Sequence, residues 1–193
     1  MKSFLLIGFA LLVLGMICEA FGADDWFVSP SAGLVFPSNS HLTYWGMDGH
    51  IKYNDGYSVG LLAGREFGRL RLYGSWDYTS FTAKEAVIST PYGLQTQSMN
   101  DLYHSHTFLA NFDYRLNKVF GVTPIIGAGI GATIDDTTTA TYQVKVGVEK
   151  KVLGGLLDVG YVFRANDGQL VYKHKTISEP DMSMIQVSWN WRF

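Results

Sequence analysis

Cysteine is nearly absent from this chain of 193 residues, and the only one, Cys18, lies in a distinctive N-terminal segment. A base at Lys2 precedes an apolar run over residues 4–17, and small residues follow at positions 20, 22 and 23. A base, an apolar run of this length and a small-residue site are typical of a secretory signal. We therefore predict an export signal that is cleaved near residues 20–22.

The predicted cleavage divides the chain into a signal peptide over residues 1–22 and a single domain over residues 23–193. That domain contains no thiol, so neither a disulfide nor thiol chemistry is expected in it. A lipid attached to Cys18 is the alternative interpretation. The bulky Ile17 argues against it, because lipoprotein signals usually carry a small residue before the cysteine.

Long apolar runs and clustered charge are also missing. The run at residues 4–17 is short of the roughly 20 residues that a membrane-spanning helix needs, and no comparable run follows it. Charged residues make up 17% of the chain and the formal net charge is -2, which argues against nucleic-acid binding. The remaining classes are a soluble exported protein and a protein that crosses a membrane with strands.

The dominant pattern in the rest of the chain is an alternation of apolar and polar residues with a period of two. At the C-terminal end, Val187, Trp189, Trp191 and Phe193 alternate with smaller or polar residues. Successive side chains of a strand point to opposite faces, so this pattern indicates strands whose two faces meet different surroundings. Pro30, which has no backbone donor, suggests a bulge or a late start in the first strand. Eight strands are predicted, at residues 28–36, 57–66, 70–79, 107–116, 126–134, 142–149, 157–164 and 184–193.

The connections between these predicted strands alternate in length. Tight turns are expected at residues 67–68, 117–121 and 152–155, and long loops at 37–56, 82–103 and 166–181, with one short connection at 135–138. Outer-membrane barrels have short periplasmic turns and longer external loops. The alternation therefore predicts an all-β, eight-stranded antiparallel up-and-down transmembrane β-barrel with its N-terminus on the periplasmic side.

The polar faces of the predicted strands favour a membrane barrel over a soluble sandwich or lipocalin-like barrel. They are rich in Gly, Ser and Asn, with isolated charges that nearly balance, whereas a soluble surface usually carries more Lys and Glu. Charges inside a narrow barrel must be paired, and an eight-stranded interior is just wide enough for side chains to fill. We expect Gly127, Gly129 and Gly131 to leave space for long arginine side chains across the lumen. The predicted lumen network is Glu66, Asp77, Asp113, Glu149 and Asp158 with Arg71, Arg115, Lys145, Arg164 and Arg192.

Two stretches resemble a known family. Residues 187–193, with alternating apolar residues and a terminal Phe193, resemble the C-terminal signal of outer-membrane proteins. Residues 56–67 and 69–73 resemble the second hairpin of the opacity-protein and OmpA-like superfamily of eight-stranded barrels. The resemblance implies an outer-membrane location. It also implies that the barrel-assembly machinery reads the last strand through Val187, Trp189, Trp191 and Phe193.

Catalytic candidates are confined to one short stretch. His104, Ser105 and His106 stand where a deacylase-like barrel enzyme would place a serine and its base. Alternation puts both histidines on one face and Ser105 on the other, so we expect that the protein is not an enzyme. A lipid A-modifying enzyme is the alternative. The two histidines could chelate a metal, but no third ligand is evident, so neither a metal nor a cofactor is expected.

The expected function is a structural or surface-interaction role in the outer membrane, with a narrow pore as a further alternative. The predicted partners are outer-membrane lipids and lipopolysaccharide, the assembly machinery, and an external ligand that contacts the long loops. Lys173 and Lys175 could meet lipopolysaccharide phosphates. No nucleic acid is expected as a partner, and the protein is predicted to be a monomer.

Overall fold

The computed structural model describes residues 26–44, 47–135, 137–172 and 175–193. The predicted signal peptide lies outside these residues. Among the residues described, no helix is long and apolar enough to cross a membrane. The regular structure of this part of the chain consists of strands: β1 (Trp26–Pro37), β2 (Ser40–Tyr44), β3 (Met47–Tyr53), β4 (Gly56–Phe67), β5 (Leu70–Thr90), β6 (Gly93–Ser98), β7 (Leu102–Arg115), β8 (Thr123–Ile134), β9 (Thr138–Val152), β10 (Gly155–Asp167), β11 (Gln169–Tyr172), β12 (Lys175–Ser178) and β13 (Met182–Arg192).

Eight of these strands form a closed antiparallel ring. In spatial order they are β1, β4, β5, β7, β8, β9, β10 and β13, and pairing of β13 with β1 closes the ring. Consecutive ring strands are neighbours, so the topology is up-and-down. The predicted eight-stranded barrel is confirmed.

The effect of Pro30 differs from the prediction. β1 begins at Trp26, ahead of the proline, so the strand does not start late. Pairing of β1 with β13 is interrupted at Ser29 and Pro30, yet the register on both sides of the interruption is the same. Proline removes a donor from the ladder but keeps an extended φ, so the strand continues without a bulge.

The connections predicted to be long loops contain strands instead. β2, β3, the outer part of β5 (residues 83–90), β6, β11 and β12 form a second sheet, called here the extension sheet. Its strand order is β11, β12, β2, β3, β5 and β6. Because β5 runs without a break from the ring into this sheet, the barrel and the extension sheet share one strand. The ends of the barrel are therefore different, and the end that carries the sheet is called the extension end.

Three tight turns connect the ring strands at the opposite end, called here the turn end. Gly68, Gly121 and Gly154 adopt positive φ angles of 63°, 84° and 82° in these turns. The turn between β9 and β10 consists of Leu153 and Gly154, both with positive φ, which is the geometry of a type I′ hairpin turn. The predicted tight turns at this end are therefore observed.

An apolar core fills the interior at the extension end. Phe81 stacks on Tyr103 with ring centroids 5.6 Å apart, and Tyr53 meets Phe81 edge-on at 5.2 Å. Tyr53 packs against two clusters, one inside the barrel and one beneath the extension sheet, and so joins them. The barrel cluster is Val35, Phe81, Val162, Met182 and Met184, and the extension cluster is Leu42, Ile51, Ala83 and Ala86.

Candidate functional site

The outer surface of the ring is an apolar belt. On β7 the outward residues from Phe108 to Leu116 are apolar, and the belt ends at His106. Strands rise about 3.3 Å per residue and tilt by roughly 40° in barrels, so the distance from His106 to Leu116 corresponds to a belt about 25 Å high. This is the height of the apolar band of membrane barrels. Exposed belt residues on other strands include Leu34, Leu61, Ile126, Ile130, Val144, Val146, Tyr161, Ile185 and Trp191.

Arg71 lies in the lumen near the turn end, on the inner face of β5, with a side chain that is 1% exposed. Its guanidinium forms ion pairs with Asp113 and with Asp158, the latter at 2.9 Å. It also donates to Asn190 Oδ1 at 3.2 Å and approaches Glu149 at 3.4 Å. One cation therefore binds groups from four other strands of the ring, namely β7, β9, β10 and β13.

Arg115 forms a second centre nearer the turn end. Its guanidinium donates to both carboxylate oxygens of Glu66 and to Glu149 Oε2 at 3.0 Å. Arg192 binds Glu66 from the mouth of the barrel at 2.9 Å, with 45% of its side chain exposed. A two-pronged arginine–carboxylate pair of this kind holds both groups in a fixed orientation.

Lys145 completes this lower part of the network. Its ammonium lies 2.7 Å from Asp158 Oδ2 and 3.7 Å from Asp113 Oδ2. Lys145 and Arg71 thus share two carboxylates. The lower network joins four acids and four bases: Glu66, Asp113, Glu149 and Asp158 with Arg71, Arg115, Lys145 and Arg192.

A separate ion pair lies closer to the extension end. Arg164 donates to Asp77 Oδ2 at 2.9 Å and to Gln143 Oε1 at 3.1 Å, while Gln186 approaches Asp77 Oδ1 at 3.5 Å. The structure thus places all ten residues of the predicted lumen network on the inner face. Each group of charges is neutral as a whole, which is the condition for keeping ions in a dehydrated interior.

The inward glycines of β8 leave space for different side chains from those predicted. A Cβ on Gly129 would lie 2.9 Å from Cγ of Asn111 and 3.1 Å from Cγ of Gln143, and one on Gly127 would collide with Asp113. The space is therefore filled by Asp113, Asn111 and Gln143 of the adjacent strands rather than by arginines. Asp113, which fills the space beside Gly127, also binds Arg71.

No protein-family model matches the chain, and no curated protein matches it in sequence. Among solved structures it is similar to Neisserial surface protein A, with 15% identity, a TM-score of 0.55, and coverage of 90% of this chain and 100% of the other. It is also similar to the outer membrane protein OprG from Pseudomonas aeruginosa, with 10% identity, a TM-score of 0.56, and coverage of 89% and 97%.

The chain has the fold of the outer-membrane β-barrels. The outer membrane protease OmpT from Escherichia coli is a further neighbour, with 8% identity, a TM-score of 0.50, and coverage of 90% of this chain and 98% of the protease. Since a surface protein and a protease share this fold with the chain, the fold by itself does not decide an activity.

Within this outer-membrane barrel fold, the catalytic candidates lie on opposite faces of β7. Ser105 is buried on the lumen side, and His104 and His106 are exposed on the belt side. His106 stacks on Trp76 with centroids 6.0 Å apart and accepts a hydrogen bond from its Nε1 at 3.3 Å, while His104 stacks on Tyr78. The histidines therefore belong to an aromatic cluster at the edge of the belt. The part of the chain that the structure describes contains no group of three or more ligands suited to a metal.

The predicted assembly residues lie on the outward face of β13. Val187, Trp191 and Phe193 are 42%, 55% and 69% exposed, and Trp189 occupies the same face between them. The amide of Phe193 donates to the carbonyl of Trp26 at 3.1 Å, which ties the two ends of the described chain together. The aromatic rings of Trp189, Trp191 and Phe193 therefore lie where a membrane interface would meet the turn end. Lys173, predicted to meet lipid phosphates, lies outside the described residues, as does the side chain of Lys175.

Proposed function

We propose that the protein is an integral outer-membrane barrel with a structural or surface-interaction role. The eight ring strands would anchor it, and the extension sheet would stand outside the membrane. The observation that carries this proposal is the inverted polarity of the barrel, with neutral ion networks inside and an apolar belt outside. A soluble barrel has the reverse arrangement, because its apolar face must be hidden from water.

The orientation follows from the two unequal ends. Periplasmic turns of membrane barrels are short, and external connections are longer. The turn end, which carries the tight turns and both ends of the described chain, therefore faces the periplasm. The extension sheet faces outward, where a partner can reach it.

Interaction is favoured over conduction because the lumen is filled twice along its length. The lower ion network occupies the turn half, while the Arg164–Asp77 pair and the apolar cluster around Phe81 and Met184 lie toward the extension end. Enzymatic activity is not proposed, because Ser105 and the nearby histidines face opposite sides of the wall. A base must lie within hydrogen-bond reach of its nucleophile.

Lipids and the assembly machinery are the partners proposed for the barrel itself. The belt would contact outer-membrane lipids, with lipopolysaccharide in the outer leaflet. The exposed face of β13, from Val187 to Phe193, would be read by the barrel-assembly machinery. An external ligand would meet the extension sheet, and the barrel would act as a monomer.

Two measurements test the proposal. The protein folded in detergent is expected to migrate differently in a gel before and after boiling, because the closed ring resists unfolding by detergent. In intact cells, added protease is expected to cut only within the extension sheet and to leave the ring strands protected. A monomer that stays soluble without detergent and migrates identically before and after boiling would contradict the membrane location.

A further inference from the structure

The hairpin formed by the outer part of β5 and β6 projects from the barrel. β6 pairs with residues 85–90 of β5, at least seven residues beyond Tyr78 at the edge of the belt. Seven residues at about 3.3 Å each, tilted by roughly 40°, place this hairpin about 18 Å beyond the membrane surface. Among the described residues, β6 has no partner on its other side, and all six of its residues are exposed.

The phase of the ladder identifies which backbone groups of β6 point away from β5. The amide of Met99 donates to the carbonyl of Lys84 at 2.9 Å, and these residues continue the register of the β5–β6 pairing. Bonded and non-bonded pairs alternate along an antiparallel ladder. Gln97 and Gln95 therefore bond to β5. The amides and carbonyls of Leu94, Thr96 and Ser98 point outward.

This edge lacks the devices that usually prevent a strand from pairing. Natural edge strands are blunted by lysine, proline, inward charges or bulges. β6 has no charged residue and no proline, and it runs without a bulge over its whole length, about 20 Å at 3.3 Å per residue. Three consecutive outward positions thus offer backbone donors and acceptors in the geometry of a ladder.

A second copy in the same membrane cannot occupy this edge. Two copies with the same orientation are related by rotation about the membrane normal, and the strands of a barrel lie roughly 40° from that direction. After such a rotation the two β6 strands cross each other instead of lying antiparallel. Antiparallel pairing of identical edges needs a twofold axis perpendicular to the strands. This geometry favours another protein as the occupant.

We propose that the outer edge of β6 is an acceptor site for an extended, uncharged peptide strand of a partner protein, which would add to the extension sheet. Backbone hydrogen bonds to Leu94, Thr96 and Ser98 supply the affinity in this mode of recognition. An uncharged peptide fits because a charged residue would find no countercharge along residues 93–98. The inference rests on the proposed function, since the edge is reachable only if the extension sheet lies outside the membrane.

A tethered peptide tests the site without knowledge of the natural partner. Tyr92, at the hairpin tip, is 98% exposed and can be replaced in a Cys18→Ser, Tyr92→Cys variant. A disulfide then attaches an eight-residue peptide of alternating Thr and Val through a flexible linker and a C-terminal cysteine, so that it runs antiparallel to β6. The tether raises the effective concentration to the millimolar range.

Hydrogen exchange read by NMR gives the result. The amides of Leu94, Thr96 and Ser98 are expected to exchange about tenfold more slowly with the peptide attached, and those of Gln95 and Gln97 are expected to stay unchanged. Adding Thr96→Pro, which removes an outward donor and spares the bonds to β5, is expected to abolish the protection. Adding Thr96→Val, which keeps the donor, is expected to retain it.

Two outcomes would overturn the inference. One is unchanged exchange at all three outward amides in a barrel that is folded and inserted. The other is equal protection by the same peptide with every amide methylated, since such a peptide cannot form a ladder. Failure of the proposed function gives a different result, because a chain that does not insert loses the gel shift on boiling.

Discussion

At the scale of single residues, the lumen charges differ in how far they depend on one another. Replacing Arg71 by Leu leaves two buried carboxylates, Asp113 and Asp158, with Lys145 as their one remaining cation among the described ion pairs. Removing one partner from a buried ion pair costs about 3–5 kcal/mol, so Arg71→Leu is expected to lower the free energy of unfolding by about that amount. Urea unfolding from lipid vesicles measures the loss.

Arg192 provides the matched control for Arg71. It belongs to the same network but is 45% exposed at the mouth of the barrel, and Glu66 keeps its pair with Arg115 when Arg192 is lost. Arg192→Leu is therefore expected to cost at most about 1 kcal/mol. Equal losses in the two variants would mean that burial of the network does not determine its contribution.

Two carboxylates outside the membrane-spanning strands predict opposite responses to pH. Burial raises the pKa of Glu179, while hydrogen bonds from Thr139 and Thr137 partly offset the rise. A hydrogen bond from Lys52 at 2.7 Å lowers the pKa of Glu85. For Glu179 the contribution to stability is full below the unfolded pKa and is lost as the pH rises through the folded pKa. For Glu85 the contribution is present above the unfolded pKa and is lost as the pH falls.

Replacing each glutamate by glutamine tests this difference in the pH dependence of stability. Glu179→Gln is expected to become progressively more stable than the original protein as the pH is raised from 4 to 8, because the variant has no charge to bury. Glu85→Gln is expected to show its disadvantage at pH 8 and to lose it toward pH 4. Unfolding curves recorded at several pH values that run parallel for all three proteins would contradict both assignments.

At the scale of elements, the turn between β9 and β10 carries strain that can be removed. Leu153 is held at a φ of 48°, a region in which asparagine and glycine are at ease and leucine is not. Leu153→Asn is expected to raise the free energy of unfolding by about 1 kcal/mol. Leu153→Ile, with its branched Cβ, is expected to lower it. Leu153 is 93% exposed, so burial differs little between the variants, and a gain from Ile would contradict the assignment of the effect to backbone conformation.

The last strand allows its stability and its assembly role to be separated. Phe193 is 69% exposed on the belt side and contributes little packing within the barrel. Phe193→Ser is expected to refold in detergent almost as well as the original chain. If the assembly machinery reads this strand as proposed, the variant is expected to insert poorly in cells. Comparing the boiling-sensitive fraction from cells with that from refolding measures the difference. An equal fraction in both settings would assign Phe193 no role in assembly.

The sequence predicts the ring strands better than the extension sheet for a physical reason. The ring strands are long and alternate against lipid, so the period of two persists over many residues. Among the side chains whose burial the structure describes, β2 buries one apolar residue, Leu42, and β3 buries one, Ile51. Lys52 and Tyr53 of β3 pair with Glu85 and Ala83 of β5. The register shift therefore skips Lys84, and the alternation of side chains along β5 changes between Ala83 and Ala86. Short strands with a bulge resemble loops when only the sequence is considered.

The sequence predicts the direction in which each lumen charge faces, but it does not predict its partner. Alternation assigns all ten lumen charges to the inner face, because facing is a property of each strand alone. Their partners depend on register and on the stagger around the ring. Arg71 binds Asp158 from β10, and Arg164 reaches Asp77 on β5, although neither pair belongs to adjacent strands. No spacing within a single strand encodes such contacts across the lumen.

At the scale of the whole molecule, the lumen contains two layers of different chemistry, an ionic layer centred on Arg71 and an apolar layer around Phe81. Ions cross an ionic layer only if its pairs can be displaced, and they cross an apolar layer only after it is wetted. Opening one layer leaves the other intact.

Three proteins are therefore expected to show no steady conductance in planar bilayers: the original protein, the double variant Arg71→Ala, Asp158→Ala, and the double variant Phe81→Ala, Met184→Ala. The four substitutions combined, which keep the lumen neutral, are expected to produce discrete channel steps. Boiling-sensitive migration of every variant confirms that the ring is intact. Reproducible steps from the original protein, or from either pair of substitutions alone, would show that one layer is enough to control passage.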